Sequence, residues 1–150
     1  MTAHRNWPPQ SLPVTIHASA VSVGGQGLLL HGPAGSGKSS FALQMMAFGA
    51  ALISDDLVTL DAQGGGIMLK RPETAPDDCG IEARGLGILR ADWTDAAPLS
   101  LIVDMGTGET ARLPEPQYLQ LASTRIRVLN KVDNPAFPAM VLQYFRQPER

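Results

Sequence analysis

The stretch LLLHGPAGSGKSSFALQ, residues 28–44, constrains this chain more than any other. Gly32 is followed, after four residues, by Gly37-Lys38-Ser39, the G-x-x-x-x-G-K-[ST] spacing of a phosphate-cradling loop, or P-loop. Gly32, Gly35 and Gly37 permit backbone angles that side chains forbid, so several N–H groups can converge on phosphate oxygens. Lys38 adds a charge near the β/γ oxygens, and Ser39 offers a hydroxyl to Mg²⁺. The expected nucleotide-binding set is Gly32, Pro33, Ala34, Gly35, Ser36, Gly37, Lys38, Ser39 and Ser40. Such a loop needs a buried strand before it and a helix after it. Leu28–His31 supplies the strand. Lys38–Phe48 reads as the helix, with Phe41, Met45 and Phe48 on one core-facing stripe and Gly49 at its end. The loop predicts nucleotide binding but does not choose between a kinase, a hydrolase and a switch.

The chain around it is short. Its 150 residues suit one domain with a real core. A 44% hydrophobic content with 17% charge is that of a globular protein. A net charge of −2 gives no reason to expect nucleic acid or an anionic membrane as partner. Cys79 is the only cysteine, which excludes an internal disulfide and a four-cysteine zinc site and points to a reducing cytoplasm. No signal peptide or membrane span is legible.

Residues 1–13 read as a loose lead-in, and 14–150 as one P-loop domain. Val14–Val23 alternates as a strand, GGQG reads as a turn, and Ala51–Ser54 is a third strand. LVTLD and GIMLKR, separated by AQGGG, predict a hairpin. Residues 72–80 read as a polar loop, LSLIVDM (99–105) as an apolar strand, LPEPQ as a breaker and Ala136–Phe145 as the last helix. Strands interleaved with few helices predict a mixed α/β sheet rather than a regular doubly wound one.

A phosphoryl-transfer site needs a carboxylate for Mg²⁺ and a group that orients or deprotonates the acceptor. Asp104, ending LSLIVD, fits the generic pattern of an apolar strand followed by Asp. Asp55-Asp56, ending ALIS, is the other candidate: at a strand end the two side chains point to opposite faces, so one can face a metal while the other braces. A helix N-cap or turn pair in SDDL is the bland alternative. In EARGLG, Glu82 and Arg84 fall on the same side of a strand, either aimed at a phosphate site or paired at the surface.

Together these pieces resemble the HPr kinase/phosphorylases, specifically their C-terminal catalytic domain. The resemblance covers roughly residues 14–105 and rests on IHASAVSVGGQGLLLHGPAGSGKSS, ALISDDLV and CGIEARGLGIL, the last similar to that family's signature segment. It implies a P-loop-containing mixed sheet similar to the carboxykinase-like kinase fold. It implies that loop 32–39 binds ATP phosphates and that Ser39 ligates Mg²⁺. His17, fifteen residues before Gly32, falls where the family has a catalytic histidine. Asp55 would be the base that deprotonates the acceptor serine, Asp56 would support the metal, Glu82 would be a second metal ligand, and Arg84 would contact the phosphoryl group or acceptor. On this alignment Asp104 becomes a structural residue.

The chain departs from the pattern in three places. It has no room for the separate N-terminal domain of full-length members. The family's basic flexible loop with a catalytic arginine corresponds here to RVLNKVDNPAF, whose interior basic residue is Lys131. A C-terminal segment linked to phosphorolysis also has no counterpart. The expectation is therefore an ATP- and Mg²⁺-dependent serine kinase acting on the phosphocarrier HPr or a close relative, with phosphorolysis disfavoured and homo-oligomerisation left open. The alternatives are a P-loop phosphotransferase for a small metabolite and a non-catalytic ATP-sensing switch.

Overall fold

The structure, a computed structural model, describes residues 7–75 and 80–147. Residues 76–79 of the polar loop 72–80, Cys79 among them, and the first half of the lead-in lie outside them. The chain forms ten strands and two helices among the described residues. Two long strands organise everything else: β1 (Val14–Val23) and β8 (Ala96–Gly108). Each runs through two sheets.

One sheet is antiparallel throughout. The first half of β1 pairs with β4 (Leu57–Gln63), β4 with β5 (Gly66–Lys70), and β5 with the start of β8. The β4–β5 hairpin is the one expected from sequence. The other sheet is mixed and runs β3–β1–β2–β8–β10–β9. Here β1 is antiparallel to β2 (Gln26–His31) and to β3 (Ala51–Ser54), while β2 and β10 (Thr124–Lys131) flank β8 in parallel. β9 (Gln117–Leu121) closes the edge antiparallel to β10. Because β2 pairs with β8 as well as β1, the two sheets share walls and enclose a core. Gly24 and Gly25, both at positive φ, make the tight β1–β2 turn that L-residues with side chains disfavour.

Strand β2 shows why its sequence is an unbroken apolar run. Leu29 faces the core between the sheets, with Ile16, Ala20, Ile53 and Ile102. Leu28 and Leu30 face the helical layer, with Leu101 and Val103. A strand covered on both faces has no position for a polar residue. On the helical side, α1 (Lys38–Ala47) and α2 (Phe137–Arg146) bury Phe41, Met45, Phe137 and Val141. Phe41 and Phe137 meet edge to face, their ring centres 5.4 Å apart.

Several expectations need correction. Phe48 is not in the core stripe; it caps α1 and is 46% exposed, because the helix ends before a third turn completes and Ala42 takes the inward position. Asp104 does not end its strand, since β8 continues to Gly108. The region equated with a flexible basic loop begins as strand: Arg127–Lys131 belong to β10, paired with β8. Arg84 lies one residue beyond β6 (Gly80–Ala83), in the turn to β7 (Gly87–Arg90), not on the strand itself. Residues 7–13 lack helix and strand, yet Trp7 stacks on His31 at 4.0 Å between ring centres. Among the described residues no helix is long and apolar enough to cross a membrane.

Candidate active site

The site forms where β2 ends. The glycine-rich loop turns the chain from β2 into α1, and Gly37 stands at the helix N-cap with φ 96°, in the left-handed region that glycine tolerates best. No side chain caps α1, so its first-turn N–H groups point out of the helix end without a side-chain acceptor. That end is a natural seat for an anion. Inside the loop Ser36 N–H donates to the Pro33 carbonyl at 3.1 Å. Lys38 folds back over the loop, its Nζ donating to the carbonyl oxygens of Gly32 (2.8 Å) and Pro33 (3.0 Å). Burial lowers the Lys38 pKa from its usual value, and the negative charges of Asp55 and Asp56 oppose that shift.

The loop is packed from below by β8. A Cβ on Gly32 would lie 3.0 Å from Gly106 N, and one on Gly106 would lie 2.9 Å from Pro33 Cδ. Both glycines are therefore required by close approach. Asp104 accepts a hydrogen bond from Gly106 N–H at 2.9 Å and does not line the cleft.

A cleft of about 720 Å³ opens above the loop. Of the residues singled out from sequence, all but Ser36 and Asp104 line it: His17, the rest of loop 32–40, Asp55, Asp56, Glu82 and Arg84. Ser36 turns away, and its Oγ is buried without a hydrogen-bond partner. Glu82 and Arg84 reach the cleft from the β6–β7 hairpin, where both are exposed.

The two aspartates are in different surroundings. Asp55 is half-buried and accepts from Ser39 Oγ (2.9 and 3.1 Å to its two oxygens) and from Ser19 Oγ (2.6 Å). Asp56 is exposed, with His17 Nδ1 3.6 Å from its Oδ1; the side chains are 62% (His17) and 82% (Asp56) accessible. Asp56 also sits at φ 75°, a conformation costly for a residue with a side chain. The turn is held by Ser54 Oγ donating to the Leu57 carbonyl at 2.6 Å and by Ala18 N–H donating to the Asp56 carbonyl at 3.1 Å. Ser19 was not anticipated. Its signal was present, since it lies two residues from His17 on a strand and so shares that face.

Fold and cleft together define a mixed-sheet α/β protein whose glycine-rich strand–loop–helix turn faces a carboxylate-lined cleft. The HPr serine kinase C-terminal domain model matches residues 11–94, and the chain belongs to that family. An HPr kinase/phosphorylase of Pelodictyon phaeoclathratiforme is 38% identical over 131 residues, 81% of this chain and 40% of the relative. One from Mycoplasmopsis pulmonis is 41% identical over 76 residues, 51% of this chain and 24% of the relative. The chain thus spans well under half the length of these curated relatives. The solved structure of the Hpr(Ser) kinase/phosphatase from Coxiella burnetii superposes with a TM-score of 0.72 at 18% identity, over 89% of this chain and 88% of that one. At that identity the likeness establishes the fold.

Proposed function

We propose that the chain is an ATP-dependent protein-serine kinase, that loop 32–39 is a P-loop in a carboxykinase-like fold, and that the acceptor is HPr or a close relative in a reducing cytoplasm. The observation that carries the reading is the convergence, in one open cleft, of an uncapped helix end, Lys38, Ser39, two aspartates, Glu82 and Arg84. Family membership supports the substrate class.

Mg²⁺ fits the donor set. Ser39 already shares a hydrogen bond with Asp55, and Glu82 lines the same cleft. Among the described residues no three His, Cys, Asp or Glu side chains gather into a cage. That suits a cation which takes one or two carboxylates and completes its shell with phosphates and water. When bound it would offset charge on the nucleotide phosphates.

In the transfer itself, the acceptor Oγ–P bond forms as the bond from the γ-phosphorus to its bridging oxygen breaks, and ADP leaves. Lys38 and Arg84 balance the charge on the transferring group. A serine hydroxyl does not ionise unaided near neutrality, so its proton needs an acceptor. Here the geometry favours a division of labour opposite to the sequence expectation. Asp55 is tied to Ser39 and belongs beside the cation. Asp56 points outward with His17 next to it and is placed to receive the acceptor's proton. The exposure of His17, Asp56, Glu82 and Arg84 fits a serine on a protein surface better than a small metabolite enclosed in a pocket.

The test of the site is Lys38→Ala. Its Nζ donates to two loop carbonyls and the side chain is no part of the core, so the fold should survive while ATP–Mg²⁺ binding, followed by calorimetry, is lost. Wild-type affinity in that variant would sink the assignment.

A further inference from the structure

Lys131 stands outside the segment matched by the family model and outside the cleft wall, yet it touches the glycine-rich loop. Its Nζ donates to the Ser36 carbonyl at 3.1 Å. Ordering a long lysine side chain costs about 2 kcal/mol of rotamer freedom. Among the described residues no carboxylate forms an ion pair with it, so that order is maintained for a single carbonyl.

The sheet is built to aim this side chain. β10 and β8 run in parallel register from Arg127↔Leu101 to Asn130↔Asp104. The register then breaks, and Lys131 pairs with Gly108. Met105, Gly106 and Thr107 are thereby left out of the ladder, and Gly106 packs under Gly32 and Pro33. Irregularities of this kind re-aim side chains beside functional sites. Lys131 is also fixed along its backbone: Glu109 N–H donates to its carbonyl at 2.8 Å, and the Glu109 carboxylate receives Thr110 N–H and Ala111 N–H at 3.0 Å each.

What the contact achieves follows from peptide geometry. In a trans peptide the C=O of one residue and the N–H of the next point in opposite directions. Ser36 is the one residue of loop 32–40 that does not line the cleft, while Gly37 does line it, at φ 96°. Lys131, which does not line the cleft, holds the Ser36 carbonyl, an arrangement that would leave the Gly37 N–H directed toward the cleft. It also polarises that peptide and strengthens its donor.

We propose that Lys131 is a positioning residue for phosphate binding, acting through the Ser36–Gly37 peptide. The proposal rests on the reading of loop 32–39 as the ATP-phosphate site. Removing the charge should weaken binding of the nucleotide without harming the empty fold. A guanidinium of similar reach should restore it.

The experiment compares the full chain with Lys131→Met and Lys131→Arg. Calorimetric titration with ATP–Mg²⁺ is paired with the melting temperature of the nucleotide-free protein. Lys131→Met should bind ATP roughly ten-fold more weakly, the scale of one charge-assisted hydrogen bond. It should melt within a few degrees of wild type, raise KM for ATP and leave kcat nearly unchanged. Lys131→Arg should recover most of the affinity. If Lys131→Met fails to fold, Lys131→Gln, which keeps a donor without the charge, should show the same loss several-fold. Wild-type ATP affinity in Lys131→Met or Lys131→Gln overturns the proposal. So does a loss of affinity that tracks a lowered melting temperature and that Lys131→Arg does not restore. A wild-type chain that takes up no ATP overturns the reading of the loop itself, and the proposal with it.

Discussion

Asp55 and Asp56 are neighbours in sequence with separate environments, and the proposed mechanism gives them separate tasks. Asp55→Asn removes a charge that two hydroxyls and the proposed cation share, so it should raise the Mg²⁺ concentration needed for half-maximal activity. Asp56→Asn removes the outward-facing proton acceptor. It should leave ATP–Mg²⁺ affinity within a few-fold and cut transfer by roughly 10²–10⁴, the usual contribution of a positioned base. The reverse pattern would return the base to Asp55. Asp56 offers a second check because its φ of 75° strains a residue with a side chain. Asp56→Gly should relieve that strain, leaving stability in urea within about 1 kcal/mol of wild type or above it, while transfer is lost. A large destabilisation would mean that the side chain holds the turn and that its strain has no functional origin.

At the scale of elements, the loop depends on the strand beneath it. Gly106 is not part of the sequence motif, yet a Cβ there would meet Pro33 Cδ at 2.9 Å. Gly106→Ala should therefore cost about 1–3 kcal/mol, appearing as displacement of the loop and weaker ATP binding in a protein that still folds. Unchanged affinity, measured by titration, would separate β8 from the function of the loop. This coupling was not legible in advance, because Gly106 and Gly32 meet only through the parallel pairing of β2 with β8. What was legible is local. The strand β1, the turn at Gly24-Gly25, helix α1 and the β4–β5 hairpin each carry their own periodicity or turn residues. The β9–β10 pair was missed because β10 does not alternate cleanly. Arg127 is buried in it, and Arg125 lies over the Tyr118 ring at 3.7 Å. Those guanidiniums are accommodated by an aromatic face that the sequence alone does not place beside them.

Over the whole molecule, a mixed α/β class was readable, but the closure of two sheets around β1 and β8 was not, since it rests on pairings distant in sequence. The candidate cleft was more legible than the fold: its loop, its paired aspartates and its Glu-x-Arg segment are short motifs, and the fold brings them to one place. Ser36, turned away, and Ser19, turned in, are the differences, and both depend on which way a side chain points. The central claim is that this assembly moves phosphate to a serine on a carrier protein. Incubating the chain with γ-labelled ATP, Mg²⁺ and purified HPr tests it most directly. Label is expected on an HPr serine, in an amount that falls with Asp56→Asn. A wild-type chain that binds ATP tightly but leaves HPr unlabelled would contradict it.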